Sequence, residues 1–131
     1  MANITTFFSD KLLDHLLGKT SYTMPTIWVG LSTTTPTLPA GTGFTEPSGN
    51  AYARVQLSPN TAAAAAESAS TNAVLTFAQA TGSWGTITYM GFFDASTVGN
   101  LLAAAALTVA ETVNSGDTFS FPSGNITATL T

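Results

Sequence analysis

The chain has 131 residues, no cysteine, and a net charge of −4 with three basic side chains, Lys11, Lys19 and Arg54. A domain of this size holds a hydrophobic core without staples, and without cysteine there are no disulfides, thiolate metal sites or cysteine nucleophiles. Three cations cannot neutralise a run of phosphates, which excludes nucleic acid as a partner, and no run approaches the roughly 18 apolar residues of a membrane span. The N-terminal segment carries Asp10 and Asp14 and no early basic cluster, so no signal peptide is expected.

Charged residues make up 8% of the chain, against about 25% in an ordinary soluble domain. The polar surface must therefore come from Thr, Ser and Asn, and such a surface is easily desolvated against a neighbour. Extracellular and virion proteins share this composition, whereas a free cytosolic monomer usually carries more charge.

Residues 5–17, TTFFSDKLLDHLL, carry the one clear helical pattern. At 100° per residue Phe8, Leu12, Leu13, Leu16 and Leu17 share half of the wheel. Asp10, Lys11, Asp14 and His15 occupy the other half, joined by Phe7. Thr5 or Thr6 is placed to cap the start, and Gly18 to end the helix in a left-handed conformation. The apolar half is wider than the roughly 100° stripe that burial on one domain requires. Phe7, Phe8, Leu12, Leu13, Leu16 and Leu17 are therefore the candidate partner-binding face, and residues 1–18 the candidate docking arm ahead of a single β-rich domain, 19–131.

After Gly18 the period changes to two. Ile27, Val29 and Leu31 alternate with Trp28, Gly30 and Ser32, as in a half-buried strand. A long Pro-, Gly- and Thr-rich loop follows, of a kind that tends to be functional or flexible. YARVQL predicts a second strand with Ala53, Val55 and Leu57 opposite Tyr52, Arg54 and Gln56. SPNTAAAAAESASTN predicts a surface excursion. AVLTFA (73–78) and WGTITYMGFFD (84–94) restore strand character, the latter with Ile87, Tyr89 and Phe93 on one face. Residues 94–100 form a turn with Gly99 free to take positive φ, and LLAAAALTV (101–109) is read as a strand although alanine favours helix. A turn at Asn114–Asp117 precedes TFSF and NITATLT, expected to close the chain as a hairpin. The pattern predicts a mainly β fold, an antiparallel β-sandwich or small barrel with one short N-terminal amphipathic helix.

No catalytic constellation, cofactor motif or metal motif emerges. The single histidine, His15, lies on an exposed helix face, which rarely provides the oriented environment of a Ser-His-Asp site. Glu46, Glu67, Asp94, Glu111 and Asp117 fall mostly in loops and turns, where Asp94 and Asp117 are suited to bonding their own backbone. There is no calcium loop and no phosphate-cradling glycine motif. A glycosidase pair of facing carboxylates, or an exposed aromatic platform for a lectin, would have to be assembled by the fold. Trp28, Trp84, Tyr52, Tyr89, Phe92 and Phe93 are expected mostly in core.

The succession KLLDHLLGKTSYTMP, WVGLSTTTP, EPSGNAYARV, TGSWGTITYMGFFD, GNLL, ALT and TVNSGDTFSF resembles small bacteriophage structural proteins encoded among head and tail genes and labelled tail fibre or head decoration proteins. The likeness runs over nearly the whole chain; the alanine runs 62–66 and 103–106 depart from it. The resemblance implies a virion component with a β-sandwich-like fold and no enzymatic activity. It also implies association with other virion proteins, either the major capsid protein or tail proteins. Homo-oligomerisation is expected from the same face and composition. The reading placed first is a capsid decoration or cement protein bound to the head lattice. The alternative is a tail-tip, baseplate or tail-fibre component, with possible adhesin activity.

Overall fold

The computed structural model describes residues 3–130; Met1, Ala2 and Thr131, the outermost residues of the arm and domain boundaries above, lie outside the described residues. Among the described residues one helix, α1 (Thr6–Leu16), precedes eight strands: β1 (Trp28–Ser32), β2 (Val55–Gln56), β3 (Ser68–Ser70), β4 (Leu75–Thr76), β5 (Gly85–Phe93), β6 (Leu101–Val113), β7 (Ser120–Phe121) and β8 (Thr127–Thr129). All pairings between these strands are antiparallel. The fold is mainly β, as the change of period predicts, and open: no barrel closes.

The main sheet has the order β2-β1-β5-β6, and two small sheets pair β3 with β8 and β4 with β7. Val29, Leu31, Ile87 and Met90 point from one face of the main sheet into the larger core, where Leu75, Phe77, Phe119 and Phe121 meet them from the β4–β7 side. Phe77 is the hub of that core, with ring contacts to Tyr52, Trp84, Phe119 and Phe121. The predicted C-terminal hairpin does not form. TFSF supplies β7 to β4, and NITATLT supplies β8 to β3. Phe119, Phe121 and Ile126 are thereby all carried into the larger core, whereas a hairpin would pair the two segments only with each other.

The second face of the main sheet is also covered, which corrects the half-buried reading of β1: every residue from Val29 to Ser32 is buried. The cover is the long loop 33–50. Ser32 Oγ holds the loop at Thr34 and Thr45, and Phe44 packs edge-on against Phe93 in a smaller core with Leu101 and Ala104. Gly30 and Gly91 are opposite each other in the β1–β5 pair and give the loop room. A Cβ on Gly91 would lie 2.7 Å from Phe44 and from Leu101, and one on Gly30 would lie 2.7 Å from the Glu46 carboxylate. The loop is thus a fitted layer of the fold.

Two further departures follow from local backbone events. A register shift in β5 between Ile87 and Tyr89 moves the alternation by one, so Met90 joins Ile87 in the larger core and Tyr89 turns to the other face. One residue of β5, Thr88, stands there against four of β6, and a slip by an odd number exchanges the faces because side chains alternate strictly along a strand. Tyr89 is only half-buried and joins neither core, unlike Trp84, Phe92 and Phe93. In the excursion 58–72, Ala65 and Ser68 pair across Ala66 and Glu67, both at positive φ, and the chain returns as β3, a strand that composition conceals.

Candidate functional site

The helix begins and ends where its capping residues predict. Thr5 accepts the Phe8 N–H on its hydroxyl and donates to the Leu101 carbonyl at 2.7 Å. That one residue therefore caps α1 and pins its start to β6. The Thr5 N–H donates to the Leu102 carbonyl, the Ala104 N–H to Asn3, and the Thr6 N–H to Pro39 in the covering loop. At the other end Leu17 is the C-cap and Gly18 takes φ +69°. The His15 Nδ1 accepts the Tyr22 N–H at 3.1 Å, a local tie on the chain returning from the helix.

No residue of the helix is buried. Of the six candidate face residues, Leu13, Leu16 and Leu17 are 53%, 77% and 67% exposed, while Phe7, Phe8 and Leu12 are half-buried. Phe8 meets the edge of Tyr22, and the Lys11 ammonium lies over the Phe7 ring. An 11-residue helix is marginal alone, so three adjacent uncovered leucines form an apolar surface without a cover among the described residues.

Beside the root of this helix runs an open groove of about 860 Å³, between β6 and the C-terminal segments. Its apolar lining includes Ala105, Leu107, Val109, Phe119, Phe121 and Ile126. It exists because β6 is the outer strand of the sheet and slips against β5: Ile87 pairs with Glu111 but Tyr89 already pairs with Ala106. Residues 107–110 consequently have no strand partner on β5, and Val109 is 66% exposed.

The second constellation lies on the opposite edge and was not evident from side-chain types. Arg54, assigned to a polar strand face, has a side chain only 6% exposed. Its Nε and Nη2 donate to the two Glu46 carboxylate oxygens at 2.9 and 2.7 Å, and Nη1 donates to the Ala95 and Val98 carbonyls, each at 2.8 Å. The guanidinium also lies 3.5 Å from the centre of the Phe93 ring. Glu46 accepts a third bond, from the Tyr52 hydroxyl at 2.7 Å, and that hydroxyl accepts the Leu31 N–H where β2 no longer pairs with β1. Burial, with the Glu46 carboxylate beside it, pushes the Tyr52 hydroxyl well above the usual tyrosine range. Trp84 closes the group by donating to the Asn50 carbonyl and meeting the Tyr52 ring edge-on.

This cluster joins EPSG, YARV, SWG and the GFFDA turn, segments scattered over half the chain. In the turn, Asp94 accepts the Asn100 backbone N–H and its amide, and Asp117 accepts the Asn114 N–H in the next one, the roles their positions suggest. The cluster is a clasp: four of the guanidinium's N–H groups and both carboxylate oxygens are committed within the fold. Among the described residues no three His, Asp or Glu side chains converge as metal ligands.

Over residues 3–129 the sequence matches the family described as "Podophage GP4 fiber I protein gp80". No curated protein matches the chain.

Proposed function

The chain belongs to the podophage fiber I protein family, and from that premise we propose that it is a non-enzymatic tail-fibre component that joins its neighbours through the N-terminal helix. A structural role in the phage virion, and association with other virion proteins, come with the family. The fibre location was the alternative reading of the sequence, and the family's description supports it over capsid decoration.

The observation that carries the docking role is the exposure of Leu13, Leu16 and Leu17 on a helix whose start is anchored to β6. Apolar patches of this kind mark interaction sites on soluble proteins, and the low surface charge leaves few ions to desolvate. Residues 1–18 act as an arm, and 19–131 as the domain it tethers. The clasp makes that domain rigid and offers no free nucleophile or acid–base pair.

The test is assembly. Phage carrying Leu13→Asp/Leu16→Asp should produce a soluble, folded protein that is missing from purified particles by quantitative mass spectrometry. Gold-labelled antibody should mark wild-type particles at the tail. Wild-type loading of the variant would remove the docking role, and head labelling at hundreds of copies would return the protein to the decoration class.

A further inference from the structure

We propose that the pocket over the clasp is a binding site for one pyranose sugar, read through a pair of neighbouring hydroxyls. The pocket has a volume of about 290 Å³ and lies between segments 46–54 and 96–98, at the small end of ligand sites, which run from about 300 to 1,000 Å³. No residue of α1 lines it, so this site and the docking role of the arm stand or fall independently.

The polar part of the lining is neutral overall and only partly committed. Arg54 has five guanidinium N–H groups; four are used within the fold, which leaves one on Nη2. Glu46 Oε2 accepts from that same Nη2 at 2.7 Å and keeps a lone pair. A donor and an acceptor thus stand on adjacent atoms. A hydroxyl both donates and accepts, and two on neighbouring ring carbons of a sugar are spaced to meet such a pair. An anion would meet the Glu46 carboxylate and a cation the guanidinium, so the pair favours a neutral ligand. At the mouth, Ser48, Ser96 and Thr97 add exposed hydroxyls.

The second observation is how the walls are held. Five non-glycine residues among those described have positive φ, and three of them, Asn50, Ala51 and Val98, stand in these two segments or between their lining residues. Val98, at φ +54°, is β-branched, a type for which this region is a genuine outlier. Its side chain is 85% exposed, so the fold gains no burial from it, and Asn would hold the same backbone with less strain. The Val98 carbonyl accepts from Arg54 Nη1 at 2.8 Å, which fixes the isopropyl group at the pocket edge. With Pro47 it offers apolar surface to the C–H groups of a sugar ring. Strain maintained by surrounding bonds clusters at ligand clamps, and walls fixed in advance lower the ordering cost of binding.

The test is an NMR titration of isotope-labelled full-length protein with the methyl α-glycosides of glucose, mannose, galactose and rhamnose. At least one should shift the Ser48, Gly49, Thr97 and Val98 amide signals with a Kd of about 1–10 mM, the range that ordinary ligand efficiency gives for the about 12 heavy atoms of a hexose. Val98→Asn should melt about 3 °C higher, because strain is relieved, yet bind at least about threefold more weakly through lost apolar contact. Ser96→Ala/Thr97→Val should weaken binding about fivefold, the value of a lost hydrogen bond. Methyl glycosides carry the blocked anomeric oxygen of a sugar within a chain. Binding at least as tight as that of the free sugars therefore assigns a glycan as the source, and a preference for the free sugars assigns a dissolved monosaccharide. No localised shift with any of the four, or shifts scattered over the surface, overturns the site. So does a Val98→Asn variant that melts higher and binds as wild type does.

Discussion

Replacing Glu46 by Gln should cost about 3 kcal/mol of folding stability, far more than its position in a Pro- and Gly-rich loop suggests. The substitution keeps shape and volume but leaves the Arg54 charge in place, with its side chain 6% exposed. Removing one member of a buried ion pair costs about 3–5 kcal/mol, because the remaining charge is neither solvated nor paired. Glu46 is 24% exposed, so some water reaches the pair and the lower end of the range applies. The loss would be a large share of the about 5–15 kcal/mol that holds a domain together.

Urea titration followed by the fluorescence of Trp84, which lies against Tyr52, measures this directly. The midpoint should fall with little change in slope. The double variant Glu46→Leu/Arg54→Met should lose less than the sum of the single losses, since an apolar pair leaves no stranded charge. Glu46→Gln losing less than about 1 kcal/mol, the value of an exposed pair, would refute the reading of Glu46 and Arg54 as a buried, mutually dependent pair.

Gly91→Ala should destabilise by about 1–3 kcal/mol through overpacking, because its Cβ would press on Phe44 and Leu101; thermal denaturation reads this. At the 65–68 turn, Ala66→Asn/Glu67→Gly should raise stability by about 1–2 kcal/mol, since both positions hold positive φ and a turn of this kind favours Asn-Gly. Alkali should also destabilise the fold. Below pH 10 Tyr52 is neutral in both states; above it the unfolded chain releases the phenolic proton while the folded chain holds it, so stability falls by up to about 1.4 kcal/mol per pH unit. Stability curves of Tyr52→Phe between pH 9 and 11.5 should lack that share of the slope.

What the sequence made legible was what local period and capping encode. Thr5, Gly18 and the leucine spacing delimit α1, alternation finds β1 and β5, and the turn signals around the short segment 101–109 find β6 against the helix propensity of its alanines. Pairing between distant segments was less legible. Nothing in TFSF or NITATLT says that their partners are β4 and β3, and the register shift after Ile87 is invisible to a strict count of two. The clasp was hidden because Arg54 reads as a polar strand residue and Glu46 as a loop carboxylate. The available signal was that Arg54 is the one arginine and shares the EPSG-x-x-YARV segment with an acid eight residues before it.

The two regions divide the work of the chain by how they treat charge. In the body, one ion pair is drawn inside and its bonds tie the loop 33–50, β2 and the 94–100 turn into a single unit. Buried charges give such geometric definition at little net gain in stability, a trade that suits a part needing a fixed shape more than a deep energy minimum. The arm does the reverse. It keeps Lys11 and Lys19 outside, exposes Leu13, Leu16 and Leu17, and is hydrogen-bonded to β6 and the covering loop through Asn3–Thr6 and to Tyr22 through His15. A tether of this kind orients the helix without covering it. On the docking role proposed above, the apolar contact that a lone globular chain would close internally is left for assembly.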